Sequence, residues 1–528
     1  MFISIDQNSN SLWDTIPKLH ALKSHKMDFL HLVEDIDLAF TKVGANSPKK
    51  TPQLTYEQYY RNGNLDWGAS LFYSKFLGKL PVNIRTLEKY SGISTGALLR
   101  QLNHSEETFF GEYAVSDNLQ MTAPSYTEDK DYHRTLGDIS VKEIFPLISE
   151  IIDFAEEDLL KSFPEKESCQ RIKKWFTSER KIVKGMLKQH SNGTLDQLYV
   201  SWISKYIPSD YCNKTSAILA ENSNPTLELL SKILDNYELF CSLYNKSIDM
   251  TEVEISKLKY GELPFYCIVK RNKKLHRTDI KWDGKKVIAG DLSWEHGLSI
   301  DQIKRVLATN DCLCICGKAL MLPIVMQKVM PNRQLIIPHN GSLYMPAAEL
   351  LAKLLSENKI IDLSELIIKR LRFYFLDHLK STQTVIRLPD YLREPFNKSE
   401  ITSEEFSTLY KAKMIEADSI LNILTDNDKR SLFIDAEFPK LQTQIKKLEQ
   451  KRKEFGLDPQ KRHLCKNVWE EIKPLQKQLQ KDFFEMILQL VHLRNLDYWD
   501  SRGAILPWSI AVGGEKFYKK IIENARIY

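Results

Sequence analysis

The alternation of apolar and polar positions divides the chain into helical, strand-rich and mixed stretches. ISVKEIFPLISEIIDFAEEDLLKSF, from Ile139, has helical spacing, with Ile144, Leu147, Ile151 and Phe154 on one face. ESCQRIKKWFTSERKIVKGMLKQH predicts a second helix, closed by Ser191, Asn192 and Gly193. NPTLELLSKILDNYELFCSLYNKS predicts another, with Pro225 in its first turn, where a missing N–H costs nothing.

From Leu263 the period shortens. LPFYCIVKRNKKLHRTDIKWDGKKVIAGDLSW holds apolar runs of strand length between basic turns, and Trp282-Asp283-Gly284-Lys285 suits a hairpin. A small antiparallel ribbon is expected. The pattern then becomes strand–helix–strand–helix: DCLCIC, GKALMLPIVMQKVM, RQLIIP and MPAAELLAKLLSE. That alternation predicts a parallel sheet with crossover helices, hence an α/β fold.

Beyond about Thr402 the chain turns helical and charged. Leu441, Ile445, Leu448 and Phe455 recur at helical steps, as do Leu475, Leu479, Phe483, Met486 and Leu490. GLDPQKR lies between them, where Gly456 and Pro459 should break the helix, and Pro474 should kink or delimit the second. An antiparallel hairpin of coiled-coil type is expected. The divisions read from these patterns are a peripheral segment 1–55, an α/β core with helical insertions 56–400, a hairpin region 401–500 and a tail 501–528 that packs back on the core.

Bulk properties narrow the classes. At 528 residues the chain exceeds one ordinary core. The 74 Lys and Arg against 69 Asp and Glu leave a net charge of +5, which favours neither a nucleic-acid partner nor a membrane surface. No run approaches the length of a membrane span, and MFISIDQNSNSLWD lacks a signal-peptide pattern. Eight cysteines fit no secreted disulfide framework, so a cytoplasmic location is expected.

Several places could carry chemistry. In IIPHNGSLYMP a strand meets a helix through His339, Asn340, Gly341 and Ser342, with Tyr344 beside them. Free N–H groups and the helix dipole there suit an anion. TEDKDYHRTLGD offers Glu128, Asp129 and His133 for acid–base work or a divalent ion, although a solvated loop has the same composition. In LDWGASLFY, Gly68 beside Trp67 could admit a ligand closely, or the apolar residues could be core. Cys312, Cys314 and Cys316 alternate, so a regular strand would put all three thiols on one face, nearly 7 Å apart by roughly two residue rises. Buried structural thiols are the plainer reading, and no residue is assigned as a metal ligand. Dinucleotide, P-loop, zincin and hydrolase-elbow motifs are absent.

From about Thr226 onward the order of elements resembles the cysteine-adding enzyme family of bacillithiol biosynthesis. His339, Asn340, Gly341, Ser342, Tyr344 and Glu349-Leu350 stand where that family has a Gly-Pro-Gly-Glu turn, an aromatic residue and Glu-Leu. Trp67 to Tyr73 is similar to part of its Gly-Gln-Gln to Gly-Pro-Leu-Tyr stretch, although the Gly-Gln-Gln is missing here. Glu128, Asp129, Asp131 and His133 loosely match its acidic His-containing stretch. The resemblance implies a Rossmann-like core, a dimerising coiled coil, and a biosynthetic ligase or transferase joining an amino acid (cysteine in the family) or small acid to an amine-bearing small molecule. On that reading His133, Asp129 and Glu128 are catalytic, and His339 to Ser342, Tyr344, Gly68 and Trp67 bind the ligand. A nucleotide and a divalent metal ion both stay open as cofactors, and a homodimer is expected. The alternative is a non-catalytic scaffold protein that docks partners through its hairpin.

Overall fold

A computed structural model describes residues 1–6, 13, 15–33, 84–94, 97, 133–134, 140–207, 211–214, 223–253, 255–318, 320–339, 343–363, 365–497 and 505–528. The strands are β1 (Phe2–Asp6), β2 (Phe29–Val33), β3 (His133–Arg134), β4 (Cys212–Lys214), β5 (Glu262–Arg271), β6 (Lys274–Trp282) and β7 (Lys286–Ala289). They continue with β8 (Leu292–Glu295), β9 (Cys312–Gly317), β10 (Gln334–Pro338), β11 (Ile368–Arg372), β12 (Val385–Arg387), β13 (Glu400–Thr402) and β14 (Arg526–Ile527). The helices used below are α1 (Thr15–Ser24), α2 (Val141–Ser162), α3 (Lys166–Gln189), α4 (Leu195–Ile203), α5 (Ser223–Asp235), α6 (Tyr237–Thr251) and α7 (Met321–Val329). After them come α8 (Met345–Glu357), α9 (Asn427–Glu437), α10 (Pro439–Leu457), α11 (Cys465–Arg494) and α12 (Ile505–Glu523).

One sheet runs β14-β11-β10-β1-β2-β4, parallel throughout except for β14, which pairs antiparallel with β11. Alternate residues supply its two faces. Phe29, Val33, Ile336 and Leu371 join a core with Ile16 and Leu19 of α1, Phe176 of α3 and Trp508 of α12. Ile3, Leu32, Leu335 and Ile337 join a second core with Ala347 and Leu351 of α8 and with Phe265 of β5. The N-terminus is therefore not peripheral: β1 is an interior strand, and Ile3 and Trp13 are buried. Five residues before a polar stretch of sequence gave too short a run to reveal this.

The antiparallel sheet runs β8-β7-β6-β5-β9, with β3 on β6. The expected ribbon is there, and its turn is built as the residues dictate. Asp283 Oδ1 accepts from Lys285 N at 2.8 Å and Lys286 N at 2.6 Å, while Gly284 takes φ +100. The crossover expectation holds for β10, α8 and β11, whose strands pair in parallel, but not for α7, since β9 pairs antiparallel with β5 whereas β10 lies in the other sheet. Helix α7 thus carries the chain from one sheet to the next. Periodicity reports that strand and helix alternate; it does not report which edge each strand finds.

Two further departures are local. The stretch from Pro225 forms two helices, α5 and α6, separated at Asn236 (φ −128). In β9 the register shifts opposite Ile268 and Val269, so Cys314 faces Ile268 and Cys312 faces Val269. Adjacent residues of β5 point to opposite faces, which divides the three thiols. Cys314 and Cys316 remain together, but leaning side chains bring their Sγ atoms to 3.7 Å.

Helix α10 runs on through Gly456 to Leu457, and α11 continues through Pro474. The break falls at Asp458 instead. The two helices pack through Ile445, Val468 and Ile472, with Leu448, Phe455, Leu475 and Leu479 around them. Phe483 leaves this seam for the main core, where its ring lies 6.5 Å from Phe438. The C-terminal segment packs back as α12 and β14. Its helical stretch breaks at Gly514 (φ +72), and the Arg171 guanidinium donates to the carbonyls of Ala511 (2.9 Å) and Val512 (3.3 Å).

Candidate functional site

Strand order reverses between β1 and β10. From β1 the chain passes through α1 to β2 on one side; from β10 it passes through α8 to β11 on the other. Because α1 packs in one core and α8 in the other, the two connections leave opposite faces of the sheet. Such a divergence opens a crevice at the carboxyl ends of the strands, the usual ligand position in open α/β sheets.

Four distant segments meet beside the β10 side of that crevice. The His339 N–H donates to Leu371 O at 2.8 Å, and its Nδ1 shares a short hydrogen bond with the Tyr528 hydroxyl. Tyr528 is held in turn by paired backbone bonds to Arg370, at 2.9 and 3.0 Å. Arg372 donates to Asp497 Oδ2 at 2.7 Å, and its guanidinium carbon lies 4.8 Å from the centre of the Tyr374 ring. Arg526 approaches the same ring at 5.4 Å. Tyr374 adopts φ 53, ψ 37, a left-handed conformation that costs a non-glycine residue about 1–3 kcal/mol. The strain places one aromatic ring in reach of two cations.

Burial, modified by the nearby charges, sets the protonation of this cluster. Burial, then the nearby Arg372, lowers the His339 pKa, although Asp497 opposes the shift. Burial raises the Tyr528 hydroxyl, with Arg372 pulling the other way. A neutral imidazole beside a protonated phenol and two guanidiniums can accept a proton from a substrate while the cations hold an anionic group. Next to this cluster Glu349 ties α8 to β11, accepting from Ile368 N at 3.2 Å and from Arg370 at 2.9 Å.

A second polar cluster lies under α1. Glu179 accepts from Trp13 Nε1 at 3.1 Å and from the Tyr206 hydroxyl at 2.5 Å. Burial raises its pKa, and the two hydrogen bonds oppose that rise. His20 Nδ1 meets the Tyr518 hydroxyl at 2.8 Å. Nearby on the sheet, Ser4 Oγ and His31 Nδ1 are 3.0 Å apart and both residues are fully buried. These contacts anchor the segment that leaves β1.

Of the residues singled out from sequence, Trp67, Gly68, Glu128, Asp129, Asn340, Gly341 and Ser342 lie outside the described residues. His133 is in β3, opposite Arg277 in the antiparallel sheet, whereas His339 and Tyr344 flank β10 and α8 in the other. Sequence reasoning missed Arg372, Tyr374, Asp497, Arg526 and Tyr528, whose positions carry no local motif. Glu179 did leave a signal: it interrupts the apolar stripe Ile172, Phe176, Val183 and Met186 at core spacing. Among the described residues, no group of three or more His, Cys, Asp or Glu is arranged to hold a metal ion. No protein-family model and no curated protein matches the chain.

Proposed function

We propose that the chain is a ligase-like or transferase-like enzyme with a Rossmann-like core, joining an amino acid or small acid to an amine-bearing small molecule. The carrying observation is the cluster of His339, Tyr528, Arg372 and Arg526 beside the point where strand order reverses. On this reading Arg372 and Arg526 hold the carboxylate or phosphate of one substrate, and neutral His339 takes a proton from the attacking amine. On the same reading Asn340, Gly341 and Ser342, which follow His339 in the sequence, belong to the anion site. The resemblance to the bacillithiol cysteine-adding family supports the same class and makes the packed helices α10 and α11 a dimerising coiled coil.

A thermal-shift screen with amino acids (cysteine among them), small acids and nucleotides tests the reading. A ligand of the folded state raises the melting temperature by mass action. A rise in the wild type that disappears in Arg372→Met supports it; a rise that persists undiminished refutes this location. The scaffold reading draws support from the exposed α10 and α11. It would prevail if no small molecule on that panel bound and a protein partner were lost on deleting residues 439–482.

A further inference from the structure

The net charge of the whole chain conceals its distribution. Between Pro439 and Asp482 stand twelve Lys and Arg against six Asp and Glu, an excess larger than the +5 of the entire chain. The rest of the molecule is therefore slightly acidic. This stretch is α10, the turn and the first part of α11, ending where Phe483 enters the main core. Only Ile445, Val468 and Ile472 are buried within it, and every one of the twelve cations except Lys481 is exposed. It is a two-helix arm about 28 Å long at 1.5 Å per residue of its 19-residue helix.

The cations are ordered along the arm. Lys440, Lys447 and Lys451 fall on one stripe of α10, at steps of seven and four. Lys447 and Lys451 line a groove of ≈ 830 Å³ between the helices, with Gln444, Gln450 and the carboxylates Glu454 and Glu471. Lys461 and Arg462 extend the positive charge around the tip, where Lys461 is 3.2 Å from Asp458. Trp469 is 37% exposed and carries the Arg452 guanidinium at 4.7 Å from its ring. One face of that ring is taken by Arg452, so an unstacked base would stack on the guanidinium or on the ring's other face.

We propose that this arm binds nucleic acid through its phosphates, with Trp469 available to a base. An anionic membrane fits less well. In the arm the large apolar side chains exposed to solvent are Leu457, at the end of α10, and Trp469, so there is no apolar face to insert. The proposal is independent of the small-molecule site, gives these two helices to nucleic acid in place of the dimer seam that the resemblance implies, and departs from the expectation drawn from the overall charge balance.

Fluorescence anisotropy of the full chain with a labelled RNA hairpin and a DNA duplex tests it. About four phosphate contacts should weaken binding on the order of a hundredfold between roughly 50 and 200 mM salt. The triple variant Lys440→Glu, Lys447→Glu, Lys451→Glu should bind at least about tenfold more weakly and with a shallower salt dependence, each lost phosphate contact removing nearly one unit of slope. Its circular dichroism should match the wild type, because all three side chains are exposed. No binding to either nucleic acid at the lower salt, undiminished binding by the folded variant, or binding only to phosphatidylserine vesicles would overturn it.

Discussion

Two polar clusters flank the same sheet and differ in their access to water. Glu179, Trp13 and Tyr206 are sealed under α1, with Glu179 only 2% exposed and both donors aimed at one carboxylate. His339, Tyr528, Arg372 and Asp497 sit at the carboxyl edge of the strands and are partly open, Arg372 at 19% and Asp497 at 25% exposure, with Arg526 nearby and Asp377 also within electrostatic reach of Arg372. The buried cluster has spent its hydrogen-bonding capacity on holding helices together. The edge cluster sets a titratable ring and guanidinium groups where they are partly open to solvent. Access to solvent, more than residue type, separates a structural cluster from one that can take a ligand.

The largest effect should come from the sealed side. Glu179→Ala leaves the Trp13 N–H and Tyr206 hydroxyl buried without an acceptor, and should cost about 3 kcal/mol in urea unfolding. Glu179→Gln keeps an acceptor and should cost roughly a third of that. Equal costs would show that the hydrogen bonds are not what the site needs. On the open side Arg372→Met should cost about 1.5 kcal/mol, since its pair with Asp497 is only partly screened. His339→Ala should stay within about 0.5 kcal/mol, as for a surface position.

The pH response should separate the histidines from Glu179. His339 and His31 have folded pKa values below the unfolded 6.5, both lowered first by burial. The unfolded chain then binds more protons than the folded one, so stability is full above about 6.5 and falls as pH drops below it. Glu179 acts in reverse. Its folded pKa is raised above 4.5, so the folded chain binds the extra proton and this residue's contribution grows as pH falls through that raised value. In Glu179→Gln the loss of stability below pH 6.5 should therefore be steeper than in the wild type. A shallower loss would reverse the assignment.

The sequence revealed what repeats and concealed what converges. Periodicity reached the long helices, the ribbon with its Asp283-Gly284 turn, and the grouping of Ile445 and Leu448 with Leu475 and Leu479. It missed the buried Val468 and Ile472 among them, and it put Phe483 and Met486 on that stripe although they join the main core. It did not reach β1, whose five residues become legible only as neighbours of β2 and β10. Nor did it reach the destination of β9, which depends on the long β5 and not on the helices around it. His339 was found because a strand, a Gly-containing turn and a helix follow one another in the chain. Its partners come from residues 372, 497 and 528, brought in by sheet pairing and by the packing of the C-terminal segment. Those contacts have no signature at short range.

The central claim is that the edge cluster receives an anion. Histidine-ring NMR, with His339 assigned through His339→Gln, tests it most directly by following one resonance through a pH titration with and without inorganic phosphate. Without phosphate the midpoint should lie below 6.5, because burial and Arg372 disfavour the charged ring. With phosphate it should move upward, since an anion held by Arg372 and Arg526 favours the imidazolium. A midpoint at or above 6.5 that phosphate leaves unchanged would contradict the account.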